Sequence, residues 1–237
     1  MDRRKFNSTS VTSIASLGAM LMFSYRHAYA LSLSDLTDDE ASQGLKLALE
    51  KGATAAISLL GKPGGFMGND KVRIPLPGFL DDAAKLLKTF GQGKQVDELI
   101  AAMNHAAETA VPMAKDLLLG AVKSMNVSEA KKILTGGENS VTQFFADKTR
   151  EPLGVKFLPV VTQAVEKVGL AAKYNSFAGK AAGFGLVKAE DANIQQYVTG
   201  KSLDGLYTII GDEERKIRQD PLGAGSAILS RVFGAIK

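Results

Sequence analysis

The sequence has 237 residues, with 29 Lys and Arg against 25 Asp and Glu, no cysteine, no tryptophan and two histidines. With 45% hydrophobic and 23% charged residues, its composition is that of a globular protein and excludes disordered or fibrous chains. The lack of cysteine excludes a disulfide framework, so the stability of the fold must come from a packed core.

The first thirty residues have the three-part layout of a secretory signal. Arg3-Arg4-Lys5 forms a basic start, residues 11–23 are mostly apolar, and Ala28-Tyr29-Ala30 supplies small residues for the peptidase. Because this apolar stretch is much shorter than the roughly 20 residues of a membrane-spanning helix, we predict cleavage after Ala30 and no transmembrane anchor in the mature chain. The paired arginines and the weakly apolar core favour the twin-arginine route over the Sec route, and the expected location is the periplasm.

Cleavage would change the charge balance of the chain. The signal carries four basic residues and Asp2, so the 29 basic and 25 acidic residues fall to 25 and 24, a net charge of +1. Such a balance predicts no nucleic-acid partner. The remaining residues, 31–237, are long enough to bury a core without covalent staples and are predicted to form a single all-helical domain.

The mature chain is predicted to be all-α, a bundle-like domain of about eight to nine helices without strands. Thr37-Asp38-Asp39-Glu40 has the form of a capping box, and apolar residues then recur at helical spacing up to about Gly61. The glycine-rich segments 61–65 and 91–95 superficially resemble phosphate loops. Neither has the G-x-x-x-x-G-K-[ST] spacing or follows a predicted strand, so both are predicted to end helices.

The segment 71–77 is predicted to be a rigid extended connector, because Pro75 and Pro77 each restrict the residue before them to extended backbone. Lys71 and Arg73 alternate on one side of it and can present two cations to a carboxylate or phosphate. The alternative is that they pair with Asp81, Asp82 or another acidic helix end.

The segment from Gln95 onward is the clearest amphipathic helix, and Pro112 is expected to kink it or to begin a new helix. His105 is the only histidine after the predicted cleavage site. The helical wheel places it on the polar face with Asn104 and Glu108, so we expect a solvated side chain. One such histidine and no cysteine leave almost no ligands for zinc, haem or iron–sulfur clusters, and no metal or cofactor is predicted.

Thr135, Gly136 and Gly137 lie just before a predicted helix, where the amide groups of a glycine pair can hold an anion. The same residues serve equally well as a turn between helices, which is the preferred interpretation. Helical patterns are predicted over 81–91, 128–134, 138–148, 157–168, 171–182, 192–218 and 227–236.

The later helices carry the remaining candidates for chemistry. Glu214 and Arg218 are four residues apart and are predicted to form a local ion pair on a helix face. No catalytic residue is assigned, although an enzyme based on carboxylates and Arg or Lys alone would draw on Asp204, Glu214, Arg73 and Arg218.

Several strings along the chain resemble the bacterial family called domain of unknown function 4197. Together they run across almost all of 31–233, and the resemblance implies an exported helical protein of Gram-negative bacteria. The family has no assigned reaction or established site residues, so none carry over. The matching strings lie at 60–66, 71–77, 93–97, 134–137, 203–207 and 217–221.

These observations favour a non-enzymatic periplasmic binding module that holds an apolar or lipid-like amphipathic ligand between helices. Lys71 and Arg73 are its nominated head-group contacts, and Thr135, Gly136 and Gly137 are a second nomination. The alternative is a cell-envelope scaffold that binds another protein through the apolar stripe 228–236, for which docking on the protein's own core is the preferred interpretation. A carboxylate- and arginine-based enzyme is the third hypothesis.

Overall fold

The computed structural model describes residues 37–80, 84–85, 89–91, 93–137, 140–183, 185, 188, 191–220, 223, 228 and 232. Over these residues the chain is helical and contains no strand, which confirms the all-α class. Short 3-10 segments occupy Gly78–Leu80 and Val111–Ala114. The α-helices are α1 (Asp38–Leu60), α2 (Gly93–Ala110), α3 (Lys115–Lys123), α4 (Val127–Thr135), α5 (Ser140–Val165), α6 (Gly169–Gly183) and α7 (Ile194–Gln219).

Seven α-helices can be delimited in this part of the chain, fewer than the eight to nine expected. The helices predicted at 81–91 and 227–236 fall largely on residues outside the described ranges, as do the predicted signal and its cleavage site. In the portion described, no helix is long and apolar enough to cross a membrane.

The start and end of α1 agree with the sequence-based prediction. The Thr37 hydroxyl accepts a hydrogen bond from the Glu40 N–H at 3.2 Å, and the Glu40 carboxylate accepts one from the Thr37 N–H at 3.1 Å. This is a reciprocal capping box, which occupies donors that the first turn of a helix leaves without partners. The helix ends at Gly61, whose N–H donates to the Ile57 carbonyl at 2.8 Å.

Helix α5 corrects the prediction of separate helices over 138–148 and 157–168. It continues through Pro152 and Pro159 as one helix of 26 residues. Each proline removes the N–H that would bond to the carbonyl four residues earlier, at Lys148 and Val155. All four residues are exposed, so water can solvate those carbonyls and the helix need not break.

One cluster of buried apolar side chains joins the helices, with α7 packed against α1, α2 and α5. The stripe predicted near the C-terminus contributes to this cluster where it is described. Val232 is fully buried and lies against Gly44 of α1, and Ile228 is partly buried beside it. A Cβ at Gly44 would lie 2.5 Å from Val232 Cγ2, so the glycine permits this close approach.

Helix α2 carries the predicted apolar face, and Pro112 follows it in the 3-10 segment before α3 begins. The prediction for its other face was wrong at two positions, because Asn104 and Glu108 are buried. The chain from Gly61 to Pro77 packs over this side of the helix and supplies polar partners for both side chains. A helical wheel cannot show a loop that covers its polar face.

Candidate ligand-binding groove along the connector

The glycine-rich turn after α1 is occupied by a carboxylate of the protein itself. Glu108 Oε1 accepts hydrogen bonds from the N–H groups of Phe66 and Met67, at 3.1 and 3.2 Å. Two successive backbone amides of this kind form an anion-binding concavity in other proteins. Here the concavity holds Glu108, so these amides are not available to a phosphate, in agreement with the prediction of a helix stop.

The connector is held against α2 by Asn104. The Asn104 amide nitrogen donates to the Ile74 carbonyl at 2.9 Å, and its amide oxygen accepts from the Ile74 N–H at 2.8 Å. On the other side, the Tyr197 hydroxyl of α7 donates to the Pro75 carbonyl at 3.0 Å. These bonds fix an extended segment that two prolines already restrict.

The side chains of the connector alternate as predicted. Val72, Ile74 and Leu76 are buried, whereas Lys71 and Arg73 are exposed. The extended backbone begins only at Arg73, because Lys71 and Val72 lie in a turn in which the Val72 and Arg73 N–H groups donate to the Asn69 carbonyl at 3.0 and 2.8 Å. The prediction of extended backbone over 71–77 is thus corrected at its first two residues.

An open groove of about 420 Å³ runs between the connector and α7. Its α7 wall includes Tyr197, Lys201, Asp204 and Thr208, which recur every three or four residues and so share one helix face. At 1.5 Å per residue this wall is about 16 Å long. The connector wall is formed by Lys71, Val72, Arg73, Ile74, Pro75, Leu76 and Gly78.

Lys71 lies at one end of the groove and is paired. Its Nζ is 2.7 Å from Asp212 Oδ2, and Arg215 Nη1 is 2.6 Å from the other oxygen of the same carboxylate. The hydrogen bond from Lys71, reinforced by that from Arg215, lowers the pKa of Asp212 below its ordinary value. The alternative of an acidic partner is thus observed for Lys71, but the partner is Asp212 within α7, whereas Asp81 and Asp82 lie outside the described residues.

Arg73 differs from Lys71. In the part of the chain that the structure describes, its guanidinium has no carboxylate partner and no hydrogen bond, and its side chain is exposed on the groove. The fixed connector therefore presents a guanidinium whose donors are available to a ligand.

Lys201 adds a third cation from the α7 wall. Its Nζ is 3.9 Å from Asp204 Oδ2 and 5.9 Å from the centre of the Tyr197 ring. Asp204 has a closer partner in Arg150, at 2.5 Å. Among the described residues, three cations and one carboxylate therefore line the groove, and that carboxylate is already paired with Arg150 from outside it.

Lys201 was not among the residues nominated from the sequence. It lies 128 positions beyond Arg73, and only the packing of the connector on α7 brings the two to one groove. The sequence offered one indication of its role, the helical spacing of Tyr197, Lys201 and Asp204. This spacing shows that the three side chains share a helix face, but it does not show that the connector lies opposite that face.

The second nominated site, Thr135-Gly136-Gly137, is exposed and lies at the end of α4 and in the turn that follows it. The Thr135 hydroxyl donates to the Lys131 carbonyl at 2.8 Å, Gly136 ends α4, and the Gly137 carbonyl accepts from the Ser140 N–H at 3.0 Å. None of these residues lines the connector groove. The geometry agrees with the preferred interpretation of these residues as a turn.

The residues nominated for an enzyme do not all gather in the groove. Arg73 and Asp204 line it, but Glu214 and Arg218 lie outside and pair with each other. Burial raises the pKa of Glu214, and Arg218 also donates to the Ile133 carbonyl at 3.2 Å. The predicted local pair is present, but its carboxylate is buried.

His105 is exposed as predicted, with 73% of its side chain accessible and its Nδ1 3.8 Å from Glu108 Oε2. Within the described ranges, no three His, Asp or Glu side chains come together in a way that could hold a metal ion.

The fold and the groove together define an all-α protein with an open cationic groove between an extended connector and a long helix. The model of the family described as "Protein of unknown function (DUF4197)" matches residues 35–234, so the chain belongs to that family. This match confirms the resemblance found in the sequence. No curated protein and no solved structure matches the chain at a significant level.

Proposed function

We propose that this protein is a non-enzymatic binding module of the periplasm, which holds an amphipathic ligand with its anionic head group in the connector groove. The observation that carries the proposal is Arg73, a guanidinium with no described partner on a segment that is fixed at both sides. An arginine on a fixed segment is well suited to a carboxylate or phosphate because the donors of its guanidinium lie in one plane.

The groove also offers apolar surface beside its cations. Pro75 is exposed and lines the groove beside the charged side chains, whereas Val72, Ile74, Leu76 and Tyr197 line it but are each at most 7% exposed. A ligand with a charged head and an apolar part would contact both kinds of surface. This mixture supports an amphipathic ligand rather than a wholly apolar one.

The test is native mass spectrometry of the mature protein purified gently from the periplasm, followed by solvent extraction of any bound molecule. We expect a reproducible extra mass that extracts as an amphiphile and is lost in the Arg73→Ala variant. Lys156→Ala on the exposed surface of α5 is the matched control and should retain the extra mass. A clean unliganded mass for the wild-type protein would contradict the proposal, and full occupancy in a folded Lys71→Ala/Arg73→Ala double variant would remove the connector from the role.

The proposed location has its own test. We expect export to fail when Arg3 and Arg4 are both changed to lysine, because the twin-arginine route reads the arginine pair. Unaltered export of this variant would exclude that route and leave the Sec route.

The scaffold hypothesis requires an exposed C-terminal stripe. At the stripe positions that the structure describes, Val232 is buried against α1 and Ile228 is partly buried. A truncation after Asp220 would therefore remove part of the core as well as any docking surface. A dimer or an attached second protein in the mass spectrum of the intact chain is the observation that would favour a scaffold.

A further inference from the structure

We infer that the head group held in the groove is a phosphate, bound between Arg73 of the connector and Lys201 of α7. This inference rests on the proposed function and names the ligand chemistry and a second binding residue for the same groove.

The first step is to decide which cations are available to a ligand. Lys71 is 2.7 Å from Asp212, which it shares with Arg215, so binding an anion there would compete with an existing pair. Arg73 has no such partner in the part of the chain described. Lys201 is 3.9 Å from Asp204, longer than a hydrogen bond, and Asp204 is held by Arg150 at 2.5 Å. Of the three cations described in the groove, Arg73 and Lys201 are therefore the two available to a ligand.

The second step concerns the walls that carry these cations. The connector is bonded to Asn104 of α2 on one side and to Tyr197 of α7 on the other. Gly205 lets the same region approach α7 closely, since a Cβ there would lie 2.8 Å from Phe66 and 3.2 Å from Val72. The backbone of the two walls is thus held by the fold before any ligand arrives, so binding has to order only the exposed side chains of Arg73 and Lys201.

The third step is the shape of the anion. A carboxylate presents its two oxygens in one plane and is well served by a single guanidinium from one direction. A phosphate presents oxygens in tetrahedral directions, so one phosphate can accept hydrogen bonds from donors on both walls of a groove. The guanidinium of arginine offers several donors in one plane, and the ammonium group of lysine is a compact cation. Placed on opposite walls, the two groups can bind different oxygens of one phosphate, which suits a phosphate better than a carboxylate.

The experiment compares two probes with the same alkyl chain, octyl phosphate and octanoate, by isothermal titration with the mature protein. We expect a Kd for octyl phosphate about tenfold below that for octanoate. Arg73→Gln and Lys201→Gln should each raise the Kd of octyl phosphate about tenfold and leave that of octanoate less affected. Lys156→Gln, which changes an exposed lysine outside the groove, should bind both probes like the wild type.

A third titration, with inorganic phosphate, distinguishes a free phosphate from the phosphate head group of a lipid-like molecule. If it binds as tightly as octyl phosphate, the ligand is a small free phosphate; if it binds much more weakly, the phosphate belongs to a lipid-like molecule. Thermal unfolding of each variant checks that the fold is retained, which we expect because both side chains are exposed.

Equal Kd values for the two probes, or variants of Arg73 and Lys201 that both bind octyl phosphate normally, would overturn the phosphate assignment. A co-purified amphiphile with a carboxylate head group would also overturn it while leaving the binding function in place. Failure of the proposed binding function gives a different result. In that case the wild-type protein carries no bound molecule in the mass spectrum, and neither octyl phosphate nor octanoate binds in the titration.

Discussion

Asn104 exchanges two hydrogen bonds with Ile74, one as donor and one as acceptor, at 2.9 and 2.8 Å. The two groups of Ile74 are those that a neighbouring strand would bond in a sheet. In this protein a helix side chain takes the place of that strand. A single residue of α2 thereby holds an extended segment in an all-α fold.

Replacing Asn104 with alanine is predicted to lower the free energy of unfolding by about 3 kcal/mol, because the buried N–H and C=O of Ile74 lose their partner. Urea denaturation measures this change. Thr109→Ala on the exposed side of the same helix is the control, and we expect it to change stability by less than about 0.5 kcal/mol. Equal stability of the two variants would show that water replaces the Asn104 amide without cost.

Two glycines of α7 are predicted to respond to alanine in opposite directions. At Gly205 a Cβ would meet Phe66 Cε1 at 2.8 Å and Val72 Cβ at 3.2 Å, so Gly205→Ala should destabilise the protein by about 1–3 kcal/mol. At Gly200 no atom lies within 4 Å of the added Cβ, so Gly200→Ala should stabilise the helix by about 0.5–1 kcal/mol. Thermal or urea unfolding of both variants gives the comparison, and the same sign for both would refute the close approach at Gly205.

The pairing of Lys71 with Asp212 predicts a pH-dependent contribution to stability. The hydrogen bond from Lys71 makes the pKa of Asp212 lower in the folded chain than its ordinary value of 3.8. Asp212 therefore stabilises the fold above this value, and its contribution is lost as the pH falls through the lower folded pKa. We expect Asp212→Asn to be less stable than wild type by about 1 kcal/mol near neutral pH and to approach it in acid.

Urea unfolding of both proteins across the acidic range measures this difference. Exposed Asp147, whose carboxylate accepts from Gln143 on α5, is the control position. Asp147→Asn removes an exposed carboxylate outside the ion pair, and its unfolding is measured in the same way. A stability difference for Asp212→Asn that stays constant with pH would argue against the ion pair in solution.

Asp204 is the one carboxylate among the described residues that line the connector groove, and it is predicted to weaken anion binding. Removing its charge with Asp204→Asn should lower the Kd of octyl phosphate about threefold, because a like charge next to the ligand is lost. The same titration on Asp147→Asn should show no change. If Asp204→Asn instead weakened binding, Asp204 would be a positioning residue that holds Lys201 toward the groove.

The sequence was sufficient to predict the all-α class, the capping box at Thr37, the end of α1 and the alternation of the connector. Each of these depends on residues close together in the chain, for which propensity and periodicity are informative. The continuous helix through Pro152 and Pro159 was not predicted, because it depends on exposure of the carbonyls that the prolines leave unbonded.

The groove itself depends on contacts that are distant in sequence. The nominations of Lys71 and Arg73 followed from local alternation, but the partner of Lys71 is 141 positions away. The burial of Glu108 and Asn104 depends on a loop that folds back over α2. Neither set of contacts leaves a periodic pattern in the sequence. Only the folded structure therefore shows that Lys71 is paired and that Arg73 is available to a ligand.

The contact between Gly44 and Val232 has a consequence for how the chain reaches its folded state. The two residues are separated by most of the chain, and Val232 is fully buried where they meet. During synthesis, the surface of α1 around Gly44 stays uncovered until residue 232 has been made. Contacts of such long sequence separation form late because the intervening chain must first be ordered. Helix α1, the first of the described helices to be made, is therefore among the last to complete its packing.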